Sequence, residues 1–522
     1  MGKMHVTVLS AAAAALVLTS CGMLQPSAAL ESSSRQSVSS APSAASGTPQ
    51  KPDNGLFEIP YNSEDSLNPF RSTSRQNLEL HTLVYDSLVK LDNDFTPVMS
   101  VASDIEIEGT LCTVTIRNGV VFSNDEYLTA DDVKYSLDSI FASSSPYAKR
   151  LACIADYTVK DDSTLLITLT RPDVLFINLL DFPIVLYGTA KSERPVGSGR
   201  YRYAESEEEE GGVIRLEANP NWYGGAPDTF TELYLTPYSY NDSLIHALKG
   251  GVIDFAFTDL VKAQSSTNMG SSPIQVPMTN LVFVGLNGSR GYTATASFRK
   301  AISLCIDRTD IVSQAFLSRA SASSTPFNPN MYATAELANQ LDADTQAANS
   351  ILDALGYTTR DEEGYRLHGT QRVALNLLIN TENFYRTQTA KLVKENLAAI
   401  GVDCVIVEKN SAAFLTAVQS GDFEMYIAET KLFANNDLSP FLQQGGALSF
   451  GLATGGLFAQ YTSVQAGQTG YDYFCTQFLE QSPFIPLVFR NGVSFFSRTM
   501  AYNVRSSASD IFFNIEDWRY AS

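Results

Sequence analysis

The sequence has few of the residues that carry catalysis or bind metals. Its four histidines include no His-Glu-x-x-His motif and no two close enough to share a metal. Gly-x-Ser-x-Gly and Gly-Lys-Ser/Thr phosphate-loop motifs are also absent. We therefore expect no enzyme, no metal site and no cofactor, although a site assembled from distant residues stays open.

Positive charge is also scarce. The chain has 36 Lys and Arg against 56 Asp and Glu, a formal net charge of −20. Nucleic acids and anionic lipid surfaces attract clustered lysine and arginine. The composition therefore excludes a nucleic-acid partner and disfavours membrane binding through charge.

Cysteine is sparse and widely spaced. Apart from Cys21, the chain has Cys112, Cys153, Cys305, Cys404 and Cys475, with no Cys-x-x-Cys pair. Most are expected to be buried as small apolar residues, and the odd number leaves at least one free thiol. Whether any of them pair stays open, with Cys112–Cys153 as one candidate disulfide.

The N-terminal apolar run, Val6 to Leu18, is too short to cross a bilayer as a helix. It is typical of a secretory signal, and the small residues before Cys21 resemble the lipobox of bacterial lipoproteins. The resemblance implies a lipoprotein signal over 1–21, lipidation of Cys21 and anchoring outside the cytoplasm. Residues 22–54, rich in Ser, Ala and Pro, predict a disordered tether with a reach of roughly 30 Å.

The remaining chain, residues 55–522, is globular in composition and long enough for two or three domains. Alternation over 111–117 and a following Asn118-Gly119 turn predict a hairpin. Thr129 and the acids after it predict the start of a helix. Residues 374–379, 386–400 and 402–407 predict a strand, a helix and a strand in a βαβ unit.

An ordered series of motifs resembles the peptide/nickel class of extracytoplasmic solute-binding proteins of ABC importers. The motifs are NGVVFSN (118–124), LTADDV (128–133), PVGSGRY (195–201), ANPNWYGG (218–225), LKGGVID (248–254), FRKAISLCIDR (298–308), LDALGY (352–357) and IGV (400–402). Most of their residues are expected to be structural, with Gly197 and Gly199 supplying backbone freedom and Asp307 and Arg308 orienting a helix end.

The resemblance implies an α/β, two-lobe periplasmic-binding-protein-like fold with an extra α+β domain inserted in the first lobe. The first lobe would combine 55–84, 196–278 and 484–522, the inserted domain would be 85–195, and the second lobe 279–483. Crossings near 278 and 484 would form a hinge, which Pro483 and Pro486 would stiffen.

The resemblance also suggests ligand-binding residues. Family members place an aspartate-rich stretch in the second lobe to meet the ligand amine, and this chain has LFANNDLSPF at 432–441. The family stretch has two aspartates. Asp437 corresponds to the later one, whereas the position of the earlier one falls on Ala434 or Asn435, neither of which is acidic. The candidates are therefore Asp437, Asn435, Asn436 and Phe433, with Tyr61 and Asn62 on the first strand. Asp437 as a turn or N-cap residue is an equally open interpretation.

These features predict a membrane-anchored, monomeric receptor that captures oligopeptides by hinge closure and delivers them to an ABC permease. Two alternatives keep the fold and change the ligand to a nickel chelate or to a peptide pheromone used in signalling. A surface hydrolase with a dispersed site is a further alternative.

Overall fold

The structure is a computed structural model, and it describes residues 56–205, 211–238, 241–259, 273–500 and 504–521. The predicted signal segment, the lipidation site Cys21 and the tether lie outside the described residues. Within the described ranges, no helix is both long and apolar enough to cross a membrane.

Strands and helices are numbered in chain order. The strands are β1 Glu58–Tyr61, β2 Val89–Leu91, β3 Pro97–Met99, β4 Ala102–Glu108, β5 Leu111–Ile116, β6 Ile154–Asp161, β7 Thr164–Leu169, β8 Tyr201–Tyr203, β9 Ile214–Ala218, β10 Glu232–Pro237, β11 Phe255–Thr258, β12 Ile274–Leu286, β13 Ala320–Ala322, β14 Leu367–His368, β15 Gln371–Arg372, β16 Ala374–Asn380, β17 Asp403–Lys409, β18 Met425–Lys431 and β19 Phe484–Phe496. The α-helices are α1 Arg75–Val84, α2 Ala130–Ala142, α3 Asn241–Lys249, α4 Ala296–Cys305, α5 Arg308–Asp310, α6 Thr345–Ala354, α7 Phe384–Ala399, α8 Ser411–Ser420, α9 Ser439–Leu442, α10 Leu457–Gln465 and α11 Tyr471–Gln481.

Three larger sheets organise the described residues. A first-lobe sheet has the order β1-β10-β9-β8, and an antiparallel sheet of the inserted segment has the order β4-β5-β7-β6. A seven-stranded sheet has the order β11-β19-β12-β18-β16-β17, with β13 also paired to β19. Two long neighbouring strands, β12 and β19, run through this third sheet and pair with each other.

These two strands connect separate hydrophobic cores. One core holds residues from Phe57 through Met278, the single residue Met331, and again Phe496 to Trp518, and it includes the inserted segment. Two further cores hold Leu281 to Phe489. Core membership therefore changes at 279–280 in β12 and at 490–492 in β19, and in β12 the change lies at a break in the pairing of the two strands between Pro277 and Leu281.

In β19 this change of core lies later in the chain than the crossing near 484 that the sequence suggests. Pro486 pairs with Phe283 inside the second lobe, so neither it nor Pro483 lies at the crossing. The wider domain limits stay a prediction.

Local patterns that depended on periodicity agree with the structure. The predicted βαβ unit is confirmed as β16, α7 and β17, with the two strands parallel. Helix α2 begins after Thr129, whose N–H donates to the Asp132 carboxylate at 2.9 Å.

The predicted hairpin across Asn118-Gly119 is wrong. Strand β5 pairs with β4 and β7, whereas residues after the turn leave the sheet. Phe122 is fully buried and its N–H donates to the Glu126 carbonyl, which closes a separate small loop. Burial of this aromatic side chain therefore overrides the turn signal.

Gly199 is structural, as expected, but not because of positive φ. A Cβ there would lie 2.5 Å from the Val84 carbonyl carbon, so only glycine permits this backbone approach. The next residue, Arg200, is fully buried and donates to the carbonyls of Phe512 and Phe513 at 2.6 and 3.0 Å. The C-terminal segment is thereby attached to the first lobe.

The five described cysteines are free thiols, so the open question of a Cys112–Cys153 disulfide is answered in the negative. Asp307 caps α5 by accepting the N–H groups of Thr309 and Asp310. Arg308 is buried, and its guanidinium donates to backbone carbonyls, including that of Pro486 at 2.9 Å.

Candidate ligand-binding site between the lobes

The predicted second-lobe stretch, residues 433–439, contacts the inserted segment. Arg171, which follows β7, approaches Asp437 at 3.1 Å between Nη2 and Oδ1, and it donates to the Ser439 hydroxyl at 2.5 Å. Asp437 also accepts the Ser439 N–H at 3.0 Å, just before α9. Asp437 is thus both a turn residue and half of an ion pair between domains. We call the contacts between 171–178 and 433–439 the latch.

Asn435 makes the second contact of the latch. Its amide donates to Asp173 Oδ2 at 2.7 Å, and both side chains are buried. Burial raises the pKa of Asp173 to about 6, although the hydrogen bonds from Asn435 and from the Leu175 N–H oppose this shift. Asn435 Oδ1 has no hydrogen-bond partner within the described residues.

Phe433, Ala434 and Asn436 complete the stretch. The Ala434 carbonyl accepts a hydrogen bond from Asn178 at 3.1 Å, and Phe433 packs against the first-lobe core. Asn436 is buried with φ of 56°, and its carbonyl accepts the Tyr461 hydroxyl at 2.6 Å. These contacts hold the backbone of the latch in one conformation.

Tyr61 and Asn62 lie at a different place on the first lobe. The Tyr61 hydroxyl donates to the Gly212 carbonyl at 2.7 Å and borders a pocket of about 510 Å³. The Asn62 N–H donates to the Asn77 side chain at 2.8 Å. None of the contacts described for these two residues joins them to the latch.

A network of charged residues lies where the chain crosses between the lobes. In the first lobe, Arg75 pairs with Glu79 at 2.5 Å and with Asp259 at 2.6 Å. Arg490 of β19 donates to the Asp259 carbonyl and pairs with Glu429 of β18 at 2.6 Å. We call these five residues, together with Lys431, the crossing cluster.

Glu429 extends the crossing cluster into the second lobe. Its carboxylate accepts hydrogen bonds from Asn280, at 2.7 Å, and from the Tyr385 hydroxyl. Asn280 itself lies at the crossing in β12, so the network follows the hinge strands from α1 to α7.

The acids and bases of the crossing cluster shift one another's pKa values. Burial alone would raise the pKa of Asp259, but Arg75 and Arg490 outweigh burial and lower it. Burial also works against the charge of Arg490, yet Glu429 and its other partners raise the pKa of the guanidinium. The pKa of Lys431 is lowered, first by burial and then by Arg75 and Arg150.

The sequence interpretation missed the crossing cluster. Two signals were present: Arg490 is the single charged residue of the strand β19, and Glu429 and Lys431 follow the buried run that begins at Met425. A charged residue within or at the end of a buried strand predicts an oppositely charged side chain nearby, because a buried charge is stable only when paired.

Comparison with known proteins identifies the family. The model described as "Bacterial extracellular solute-binding proteins, family 5 Middle" matches residues 95–447. The oligopeptide-binding protein AppA of Bacillus subtilis (strain 168) is 25% identical over 401 residues, which are 71% of this chain and 72% of AppA.

Solved structures show the same fold. HbpA2 from Haemophilus parasuis has a TM-score of 0.73 at 19% identity, covering 90% of this chain and 100% of HbpA2. NikA from Brucella suis, in complex with Fe(III)-EDTA, has a TM-score of 0.68 at 19% identity, covering 89% and 100%. The structure of B. subtilis AppA with a nonapeptide has a TM-score of 0.57 at 19% identity, covering 90% and 99%.

These findings confirm the predicted α/β two-lobe fold and the resemblance to the peptide/nickel class. The family model spans well over half of the chain, and the solved structures are covered almost completely. The chain belongs to family 5 of the bacterial extracellular solute-binding proteins.

Proposed function

We propose that this protein is the receptor of an ABC importer, that it captures oligopeptides between its lobes, and that it delivers them chemically unchanged to the permease. The observation that carries the proposal is the geometry of the crossing: two adjacent strands join separate cores, and charged side chains of both lobes meet beside them. AppA, a relative by sequence, is named an oligopeptide-binding protein.

Closure of the lobes would supply the mechanism. A ligand that touches both lobes stabilises the closed state in proportion to its differential affinity for that state. An extended peptide also offers a row of N–H and C=O groups, which strand edges pair without reading the side chains. We take the hinge to be residues 279–280 and 490–492, and we keep the predicted inserted domain, 85–195, as part of the proposal.

The residues Asp437, Asn435, Asn436, Phe433, Tyr61 and Asn62 remain candidates for ligand contact. Asp437 is partnered by Arg171, so a ligand that used its carboxylate would compete with the latch. Replacing Asp437 with Ala tests this: weaker peptide binding keeps Asp437 in the site, whereas an unchanged dissociation constant removes it.

A thermal-shift screen of the purified protein tests the ligand class. Defined peptide pools, nickel chelates and sugars are compared, because a ligand at 100 times its dissociation constant stabilises by about 2.7 kcal/mol. We expect the peptide pools to raise the melting temperature. A response to sugars alone would refute the peptide assignment.

A nickel chelate is the second candidate, because NikA in complex with a metal chelate shares the fold. Among the described residues, no group of three or more His, Cys, Asp or Glu side chains could hold a bare metal ion. A chelate would instead present its own carboxylates to the protein. A shift with nickel chelates and none with peptides would favour this candidate, and release of peptide fragments would favour the hydrolase alternative.

The membrane anchor and the monomeric state also belong to the proposal. Cys21 in its lipobox context supports lipidation, which would hold the receptor near the permease. With Cys21→Ala, we expect membrane retention and acyl labelling to be lost together. Retention of the variant in the membrane fraction would contradict a lipid anchor at this residue.

A further inference from the structure

One segment of the second lobe leaves its own core and enters that of the first lobe. Phe327 belongs to a second-lobe core, and Leu337 packs against the same core. Between them, Met331 is fully buried and belongs to the first-lobe core, and Ala333 packs against that core as well. We call residues 328–334 the strap.

Hydrogen bonds attach the strap to the first lobe and to the inserted segment. The Tyr332 N–H donates to the Asp94 carbonyl at 2.9 Å, and the Asn328 side chain donates to the Met278 carbonyl at 2.9 Å. Asp94 lies in the turn between β2 and β3, whereas Met278 lies in β12 just before the change of core. The strap is therefore bonded across the lobe boundary on both sides of Met331.

The second lobe fixes the conformation of the strap around Met331. The Met331 N–H donates to the Asn328 carbonyl at 3.1 Å, and the Met331 carbonyl accepts the Ala335 N–H at 2.8 Å. Asn436 of the latch donates to the Met331 sulfur at 2.8 Å. Because these contacts lie within the second lobe, opening of the lobes leaves them in place, and the side chain is preorganised for docking.

Opening of the lobes would change the other part of the surroundings of Met331. A rotation about the hinge withdraws the strap from the first-lobe core and exposes this side chain to water. Full burial of a methionine side chain shifts an equilibrium by roughly 10- to 100-fold toward the state that buries it. Because the closed state alone contains this burial, it adds to the affinity for a ligand that closes the lobes.

We propose that Met331 sets ligand affinity through closure: docked in the first-lobe core it stabilises the closed state, and it becomes exposed when the lobes open. This inference rests on the proposed function. Because both docking surfaces belong to the protein, the effect is the same for every ligand that closes the lobes. Met331 is therefore a positioning residue, which acts through the relative placement of the lobes.

The test separates affinity from stability in the purified full-length protein. Isothermal titration with a defined pool of short peptides gives the apparent dissociation constant, and thermal unfolding without ligand gives the melting temperature. Met331→Ala is compared with Met331→Leu, which keeps an apolar side chain of similar volume, and with Met425→Ala. Met425 is the matched control, because it is also fully buried but lies in a core of its own lobe, at the start of β18.

We expect Met331→Ala to raise the dissociation constant by about 10- to 100-fold and to leave the ligand-free melting temperature nearly unchanged, because the open state already exposes this side chain. Met331→Leu should keep most of the wild-type affinity. Met425→Ala should instead lower the melting temperature and leave the dissociation constant unchanged, since its core is the same in both states. An unchanged dissociation constant for Met331→Ala, or a loss of ligand-free stability equal to that of Met425→Ala, would overturn the proposal.

Oxidation by hydrogen peroxide, followed by mass spectrometry, tests the same point in the wild type. Peroxide converts a methionine to its sulfoxide only where it reaches the sulfur. We expect Met331 to be oxidised in the ligand-free protein and protected by the peptide pool, whereas Met425 stays unoxidised in both samples. Equal oxidation of Met331 with and without bound peptide would refute its release on opening.

The design separates this inference from the proposed function. If peptides bind with an affinity that Met331→Ala does not change, the receptor function stands and the role of Met331 is refuted. If a nickel–EDTA chelate binds in place of the peptides, and Met331→Ala weakens that binding by the same factor, the role of Met331 stands and the peptide assignment fails. If neither ligand binds, both are refuted.

Discussion

Asp173 shows how one buried acid couples the latch to pH. Its carboxylate is 4% exposed and accepts hydrogen bonds from Asn435 and from the Leu175 N–H. Because the folded-state pKa is about 6 and the ordinary value is 3.8, the folded protein binds this proton more tightly than the unfolded chain does. Stability from this group is therefore full below about pH 4 and falls as pH rises to about 6.

Asp173→Asn removes that titration and is expected to stabilise the protein above pH 6 by up to about 3 kcal/mol, the free energy of a two-unit pKa shift. The new amide can donate to Asn435 after the Asn435 side chain flips, because its Oδ1 lacks a partner within the described residues. Thermal unfolding at pH 4, 6 and 8 measures the effect. A stability difference that does not change with pH would contradict it.

Gly199 makes a second residue-scale prediction. Gly199→Ala forces a methyl group against the Val84 backbone, and we expect a loss of about 3 kcal/mol in unfolding free energy. Gly456→Ala is the control, because a Cβ there meets nothing within 4 Å, and its effect should stay within about 1 kcal/mol. Equal effects in urea unfolding would show that the close approach is not what selects glycine.

At the scale of elements, β12 and β19 connect the two lobes, and charged side chains lie on or beside them where the lobes meet. Arg490 is buried within β19, between apolar residues that pack in different cores. Its guanidinium contacts Glu429 of the second lobe and the Asp259 carbonyl of the first. The strand therefore connects the lobes electrostatically as well as covalently.

Arg490→Met tests this connection. The substitution leaves the Glu429 carboxylate, in a side chain only 10% exposed, without its cation, and breaking a buried pair costs about 3–5 kcal/mol. Lys134→Met is the control, since the pair of Lys134 with Asp138 on α2 is well exposed and worth little. Denaturant unfolding measures both variants, and similar small losses would contradict a structural role for the Arg490–Glu429 pair.

Elements with a clear period were predictable from the sequence, and the site was not. In β16, α7 and β17 the spacing of apolar residues along the sequence reflects which face of each element is buried. That spacing therefore predicted the position of each element to within a few residues. The hairpin predicted across Asn118-Gly119 was wrong because the burial of Phe122, rather than the turn residues, determines the path of the chain after β5. The crossing cluster brings together residues from 75 to 490, and only the tertiary pairing of β11, β12, β18 and β19 makes them neighbours.

At the scale of the whole molecule, we propose that the two lobes move relative to each other about a short hinge. Most buried residues of the two lobes belong to separate cores, with Met331 in the first-lobe core and Phe433 packed against it, so a rotation of the lobes would disturb few interior contacts. The latch and the crossing cluster are polar contacts between them, as are backbone hydrogen bonds such as that from the Tyr332 N–H to the Asp94 carbonyl, and the latch contains a group without a partner within the described residues, Asn435 Oδ1. Ligand groups that complete these contacts would favour the closed form.

Small-angle X-ray scattering with and without a saturating peptide pool tests this account most directly. We predict a smaller radius of gyration with peptide, and a bound profile that fits the one calculated for this structure better than the free profile does. Superimposable profiles from samples in which titration has shown the peptide to be bound would contradict closure of the lobes over a ligand.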